Sequence, residues 1–327
     1  MTCDVLVLGG GPAGTAAAIS AAQAGLSVRL LEKRRRNARV PGETLHPGVE
    51  PLLSTLGVAE AVHRAGFPRH RGVWVEEPSR WRFQAYGADP EGPWEGFQVD
   101  RAVLHGLLLA RAEALGVAVE RGVEPVRVLT NGGKVEGVAS ALKTYPARWT
   151  MDASGHRGWL SQQLGIPVDV RSPTLMARFG WHTPDPATAR EREQPGPSFR
   201  FSEHGWDWSA SVSENREAWV QLRIGSDPGG IDQTWTLRRQ RGGPGYSSIG
   251  DAALRLDPSS SHGVMRALMT GMYAAHLVTA FVEGRASAGQ VSQTYEDWTA
   301  SMFQHDAAAL RDQYLDSRAG PAWRAAH

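Results

Sequence analysis

The chain has 327 residues, 41% of them hydrophobic and 21% charged, with a formal net charge of +1 and a single cysteine. That length supports a substantial core and a cofactor-sized domain carrying a second lobe. Near-neutral charge excludes a general electrostatic attraction to nucleic acid or an anionic membrane surface. One thiol excludes an internal disulfide or a cysteine-based metal cluster, no metal site is expected, and with no signal peptide before the first apolar run a cytoplasmic protein is expected.

Asp4 to Leu8 is an apolar, β-branched run that breaks at Gly9-Gly10-Gly11-Pro12-Ala13-Gly14 and passes into an alanine-rich helical stretch to Ala24. Gly25 ends that helix, and Ser27 to Leu31 reads as a second strand finishing at Glu32. Strand, glycine turn, helix and strand within about 30 residues make a dinucleotide site. Gly9 permits the tight turn, Gly11 lets the backbone approach a pyrophosphate, and Gly14 allows close helix packing. The phosphates belong at the helix N-terminus, and Glu32 is placed to accept from a ribose hydroxyl.

Gly42-Glu43-Thr44-Leu45-His46-Pro47 follows an arginine-rich turn expected to be a solvated surface. Residues 68–96, where Pro68, Pro78, Pro90 and Pro93 are interspersed with Trp74, Trp81 and Trp94, change character and suggest the strands and loops of an inserted lobe. Helical periodicity returns from Arg101 to Leu115, and three strands follow, around Val117 to Val119, Val126 to Leu129 and Val135 to Ala141, the last two joined through Asn131-Gly132-Gly133. After Asp152-Ala153-Ser154-Gly155, residues 168–240 are again β-rich and aromatic, with His182 and His204 as weaker site candidates. Gly250-Asp251 and Asp257-Pro258-Ser259-Ser260-Ser261-His262-Gly263 then precede a helix from about Val264 to Val282, whose Arg266 and His276 argue against a membrane span.

Taken in order, the glycine fingerprint, Gly42-Glu43-Thr44, Arg101, Asp152 to Gly155, and Gly250-Asp251 with Asp257-Pro258 resemble the FAD-dependent monooxygenase superfamily of the para-hydroxybenzoate hydroxylase fold. Within it the chain looks most like the branch of flavin-dependent tryptophan halogenases, geranylgeranyl reductases and quinone-cofactor maturation flavoproteins. The resemblance implies an α/β fold: a Rossmann-like FAD-binding domain of glutathione reductase type over residues 1–67, 97–167 and 241–327, with a small β-rich substrate domain over 68–96 and 168–240. It implies non-covalent FAD held by Gly9, Gly11, Pro12, Ala13, Gly14, Glu32, Lys33, Thr44, Arg101, Val126, Asp152, Gly155, Gly250, Asp251, Pro258, Ser261, Gly263 and Val264. Glu43, His46, His262 and Pro258 fall in segments that the resemblance sets beside the reactive flavin ring. A helix starting near His262 would aim unsatisfied N–H groups at the ring edge that gains negative charge on reduction.

A halogenase of this branch needs a lysine above the flavin some tens of residues after the Gly-Glu motif, and no lysine lies between Lys33 and Lys134. Its Trp-x-Trp-x-Ile-Pro pattern is also incomplete, because Trp206-Asp207-Trp208-Ser209 runs into Ala210-Ser211. The expected activity is therefore an FAD-dependent monooxygenase that hydroxylates an aromatic group through a flavin C4a-hydroperoxide, with NAD(P)H or a separate reductase as electron source. The substrate is an aromatic small molecule or a peptide or protein partner, tryptophan being one candidate group. The alternatives are a double-bond reductase of geranylgeranyl reductase type, a halogenase-like protein lacking the lysine, and a non-catalytic flavin-binding partner. Eight of the 12 tryptophans fall in the substrate lobe, which fits either an aromatic-lined surface or the packing of a small core.

Overall fold

The computed structural model describes residues 2–33, 43–77, 80–183, 194–213 and 215–326, with Glu43 described in its backbone alone. The arginine-rich turn and Pro41-Gly42 lie outside those residues, as does the side chain proposed for Glu43.

The first β-branched run forms a strand over Cys3–Leu8, with Val5, Leu6 and Val7 fully buried. Burial on both faces is what an apolar run without alternation demands of a central parallel strand. It pairs in parallel with Val28–Glu32 on one side and Thr144–Asp152 on the other, and Ala118–Arg121 and Tyr246–Ser248 extend the parallel region. Lys134–Ser140 and Pro125–Asn131 add antiparallel strands. Their turn carries Gly132 at φ +54° and Gly133 at φ +80°, the two positive angles that a two-residue hairpin with the right twist requires.

Five helices of seven or more residues occur among the described residues: α1 (Pro12–Gln23), α2 (Arg101–Ala114), α3 (Gly263–Val282), α4 (Ala288–Asp316) and α5 (Gly320–Ala326). The buried stripe of α3 runs Val264, Leu268, Gly271, Ala275 and Val278, steps of four and three that keep one face inward. That face meets the alanine face of α1 so closely that a β-carbon on Gly271 would stand 2.2 Å from the Ala13 carbonyl oxygen. No helix among the described residues is long and apolar enough to cross a membrane, and Arg266 on α3 is buried against Asp306 of α4 at 3.2 Å.

The two aromatic stretches, far apart in sequence, build one seven-stranded sheet. Leu175–His182, Arg216–Ile224, Gly205–Ser213 and Ser198–Ser202 form an antiparallel succession, and Ser198–Ser202 then pairs in parallel with Gly72–Glu77 through Ser198 opposite Trp74 and Phe199 opposite Val75. This larger sheet is thus laid down by two excursions of the chain, while Val168–Val170 with Thr236–Arg238, and Ala88–Asp89 with Gly92–Pro93, pair in smaller sheets.

The block 241–327, read from sequence as part of the first lobe, divides between both cores. Val264, Leu268, Val291 and Tyr295 join the core around α1, while Phe303, Leu310, Tyr314 and Trp323 join the core of the second sheet. At 29 residues, α4 is about 44 Å long, enough to span both lobes. The tryptophans also divide. Trp206 and Trp235 are 1% exposed and pack with Tyr314 and Trp323, whereas Trp81, Trp94 and Trp181 stand at 38%, 45% and 37%. Each buried indole stabilises the second lobe by up to about 5 kcal/mol from area removed from water.

Candidate functional site

The glycine loop carries one clear steric message. Gly9, at φ +113°, leaves no room for a side chain, since a β-carbon would lie 2.3 Å from the Ala153 carbonyl oxygen. On Gly14 it would lie 2.0 Å from the carbonyl oxygen of Gly9. A β-carbon on Gly11 would meet no other described residue within 4 Å. Two glycines are therefore needed by the chain itself, and the third faces open space at the head of α1, where Pro12 is the first helical residue and Ala13 is buried. Gly11 is the helix N-cap and offers no side-chain cap, and the first turn holds no acid, so the helix end keeps its unsatisfied N–H groups and positive dipole end for a ligand.

Glu32 stands at the end of its strand as expected, but one oxygen, Oε2, accepts a 2.6 Å hydrogen bond from Gly10 N–H. The carboxylate thus braces the glycine loop. Lys33 pairs with Glu124 at the exposed end of the same strand. Asp152 is fully buried, with Oδ1 accepting from Ser154 N–H at 3.0 Å and Oδ2 from Leu160 N–H at 2.8 Å. Those bonds make Asp152 the organiser of its turn and not a surface for ligand, while Gly155, at φ +78° with nothing within 4 Å, lies open. Thr44 is buried and donates to Gln98 Oε1 at 3.1 Å. Arg101 opens α2 behind the Asp100 N-cap. Val126, 54% exposed, sits on an edge strand across the sheet from Glu32.

A second wall descends from Gly250 to α3. Gly250, at φ +58°, places its α-carbon against Ala13 of α1 and donates its N–H to Thr270 Oγ1 at 3.0 Å, which leaves Asp251 exposed at the loop surface. Asp257 is fully buried and caps the short turn Pro258–Ser260: Oδ1 accepts from Ser259 N–H at 2.9 Å and Oδ2 from the Trp235 indole N–H at 2.6 Å. Pro258 is exposed, and Ser261 takes the left-handed conformation at φ +56° that turns the chain into α3, begun by Gly263 and buried Val264. The hydroxyls of Ser259 and Ser260 are buried without a hydrogen-bond partner. Open space at Gly11 and Gly155, an uncapped helix end and two unpartnered hydroxyls fit a group with a pyrophosphate and a polar heterocycle.

His46 and His262, taken from two distant segments, meet edge to face with ring centroids 5.1 Å apart. Gly48 allows this, because its α-carbon comes close to Met265 of α3; a β-carbon there would stand 3.1 Å from the sulfur. His46 Nδ1 accepts from Gly48 N–H at 3.1 Å, so the proton of the neutral ring sits on Nε2. Burial lowers the pKa of His46, and that of His262 falls to about 4 through burial first, then the proximity of His46 and Arg266. His262 is therefore neutral at neutral pH, an acceptor rather than a proton donor.

This has a consequence for stability. The unfolded chain, with a histidine value of about 6.5, binds more protons than the folded chain between about 6.5 and about 4. Stability is thus fully present above pH about 6.5 and is lost as pH falls toward 4. Urea midpoints for the wild type and His262→Gln across that range are expected to show a loss about 1–2 kcal/mol smaller in the variant, after allowance for partial exposure. Equal slopes would show that His262 is not held neutral.

Sequence reading did not single out Asp257 for a role of its own, although an Asp immediately before Pro is an N-cap signal. It missed Tyr86 altogether, whose ring lies 5.0 Å from His46 and whose segment, just past the Arg80–Ala85 strand, carries no motif. His182, paired with Glu217, and His204 lie on the second sheet and its turn, outside this cluster.

Similarity to known proteins bears on the family and the fold. The family described as FAD binding domain matches residues 2–221. The chain is 26% identical to a tryptophan 2-halogenase of Chondromyces crocatus across 89% of its own length and 64% of the halogenase. It is 23% identical to digeranylgeranylglycerophospholipid reductase 2 of Methanopyrus kandleri over 91% of this chain and 82% of the reductase. Its fold superposes on the flavin-dependent brominase Bmp2 with a TM-score of 0.81, at 22% identity, covering 96% of this chain and 87% of the brominase. The chain thus spans about two thirds of the halogenase it matches. With the open glycine loop at α1 and the matching family covering most of the chain, this protein belongs to the FAD binding domain family.

Proposed function

We propose that this protein is an FAD-dependent oxidoreductase, and that its reaction is the monooxygenation of an aromatic group. FAD would lie with its pyrophosphate on Gly11 and the N-terminus of α1, and its ring against Pro258 to Gly263. When bound and reduced, it supplies two electrons to O2, so that one oxygen atom enters the substrate and the other leaves as water. NAD(P)H or a separate reductase would supply the electrons.

The observation that carries this reading is the neutral His46–His262 pair at the start of α3. A neutral imidazole, kept unprotonated at neutral pH by its lowered pKa, accepts a hydrogen bond from a phenol O–H or indole N–H and so raises the electron density of the ring to be oxygenated without taking the proton outright. The partly buried setting of the pair fits a site that keeps bulk water from the reacting centre. Halogenation has no lysine to direct the electrophile, since none lies between Lys33 and Lys134. The reductase reading is favoured by the 82% coverage of the Methanopyrus kandleri enzyme. Saturating a double bond, however, requires an acid that delivers a proton to carbon, and the pKa of His262 leaves it without an imidazolium proton to give at neutral pH. The substrate is an aromatic small molecule or an aromatic group on a peptide or protein.

The test is a single turnover of photoreduced holoprotein with labelled dioxygen and indole as probe. Uptake of one labelled oxygen atom into indole is the expected result. Anaerobic reduction of a prenyl alcohol by the same holoprotein, or bromide incorporation into indole, would overturn it in favour of the reductase or the halogenase.

A further inference from the structure

The chain leaves the Arg80–Ala85 strand with a tyrosine wedged between histidines. The Tyr86 ring lies 5.4 Å from His70 and 5.0 Å from His46, which is itself 5.1 Å from His262. Its backbone is held on both sides. Tyr86 N–H donates to the Arg71 carbonyl at 2.9 Å. Gly87, at φ +114°, lies under the Trp94 ring, which in turn donates its indole N–H to Asp89 Oδ2 at 3.0 Å. His70 is 2% exposed with Nδ1 on the Gly72 carbonyl, so it forms a rigid floor beneath Tyr86.

The Tyr86 hydroxyl makes no hydrogen bond to the described residues. Burial raises its pKa far above the ordinary phenol value, which keeps it an O–H donor. His46, with Nδ1 occupied by Gly48 N–H, presents a second donor at Nε2. Two neutral donors from separate segments thus stand side by side, and one of them, His46, is in ring contact with His262. A neutral donor pair suits an uncharged or weakly charged oxygen, whereas a carboxylate or phosphate would call for a cation.

We propose that Tyr86 and His46 together hold an oxygen acceptor of the aromatic substrate, a carbonyl or phenolic oxygen, which makes Tyr86 a substrate-contacting residue. The assignment rests on the reading that the His46–His262 pair marks the reaction site.

Acetophenone and ethylbenzene have similar shapes and differ in the carbonyl, so their binding to the holoprotein, followed by perturbation of the flavin absorbance, isolates the hydrogen bonds. The expected result is tighter, saturable binding of acetophenone. Tyr86→Phe keeps the ring and its contacts, and is expected to weaken acetophenone binding by about fivefold while leaving ethylbenzene within about twofold. Equal weakening of both probes would mean that Tyr86 only shapes the wall. No change for acetophenone, or no saturable binding of it by the wild type, also overturns the proposal. The readout is binding and not turnover. A holoprotein that shows the split between probes but never oxygenates an aromatic would sink the proposed reaction and leave the role of Tyr86 standing. Oxygenation without the split would do the reverse.

Discussion

Gly14→Ala is expected to cost about 3 kcal/mol of stability and to leave little FAD bound, whereas Gly11→Ala is expected to lose FAD without loss of fold. At Gly14 the new methyl would meet the Gly9 carbonyl oxygen at 2.0 Å and the Ala153 side chain at 3.0 Å. Neither can yield cheaply, because Gly9 itself is locked against the Ala153 carbonyl. Nor can α1 retreat, since Ala13 is pressed on its far side against Gly271 of α3. Overpacking between backbone segments with no slack costs at the upper end of the usual range. Gly11 differs on both counts. Its φ of −75° is open to any residue, and a β-carbon meets nothing. Thermal unfolding of apo Gly11→Ala should lie within about 0.5 kcal/mol of wild type, while FAD affinity, read by flavin fluorescence on titration, should fall by more than about tenfold because the methyl occupies the place of the pyrophosphate. Unchanged affinity in Gly11→Ala would show that the pyrophosphate does not rest on this loop.

Asp257→Ala should be the most damaging change outside the glycine loop, at about 2–4 kcal/mol. The residue is fully buried and serves both lobes: Ser259 N–H of the turn before α3 and the Trp235 indole of the second core. Truncation leaves two buried donors without an acceptor, and each orphaned group carries its own desolvation cost of about 1–3 kcal/mol. Asp257→Asn should lose about half as much. Burial raises the pKa of Asp257, so the site does not favour its charge, and an amide oxygen still serves one of the two donors. Chemical denaturation of the three proteins gives the ranking directly. A measurement of FAD retention should follow it, because Pro258 to Ser261 loses its anchor together with Trp235. Equal stability of Asp257→Ala and wild type would show that this hydrogen-bonded link does not join the lobes.

The parts of the fold that local chemistry governs are legible in the sequence. The nucleotide-binding unit is one, because a β-branched run, glycines at fixed spacing and an alanine-rich helix each have a single local solution, and all three agree. The hairpin at Gly132-Gly133 and the start of α3 are others, since positive φ angles and capping depend on neighbours in the chain. The same reasoning located His46 and His262 separately, each through its motif.

Their meeting was beyond such reading. His46 reaches His262 because Gly48 admits Met265, and nothing within either segment encodes the other's position. Tyr86 lies just past the Arg80–Ala85 strand in a segment with no motif, and its role follows only from the rings around it. The join of the two aromatic stretches depends on a parallel pairing of Ser198 with Trp74 and Phe199 with Val75, across more than a hundred residues. Alternation within each strand shows that it has two faces but not which strand lies beside it. The glycine loop, the acid after it and the absence of a lysine between Lys33 and Lys134 were determined by the sequence alone. The histidine pair, the tyrosine beside it and the buried carboxylate that ties the lobes together were decided by tertiary packing, because each depends on contacts between segments whose closeness only the folded core creates.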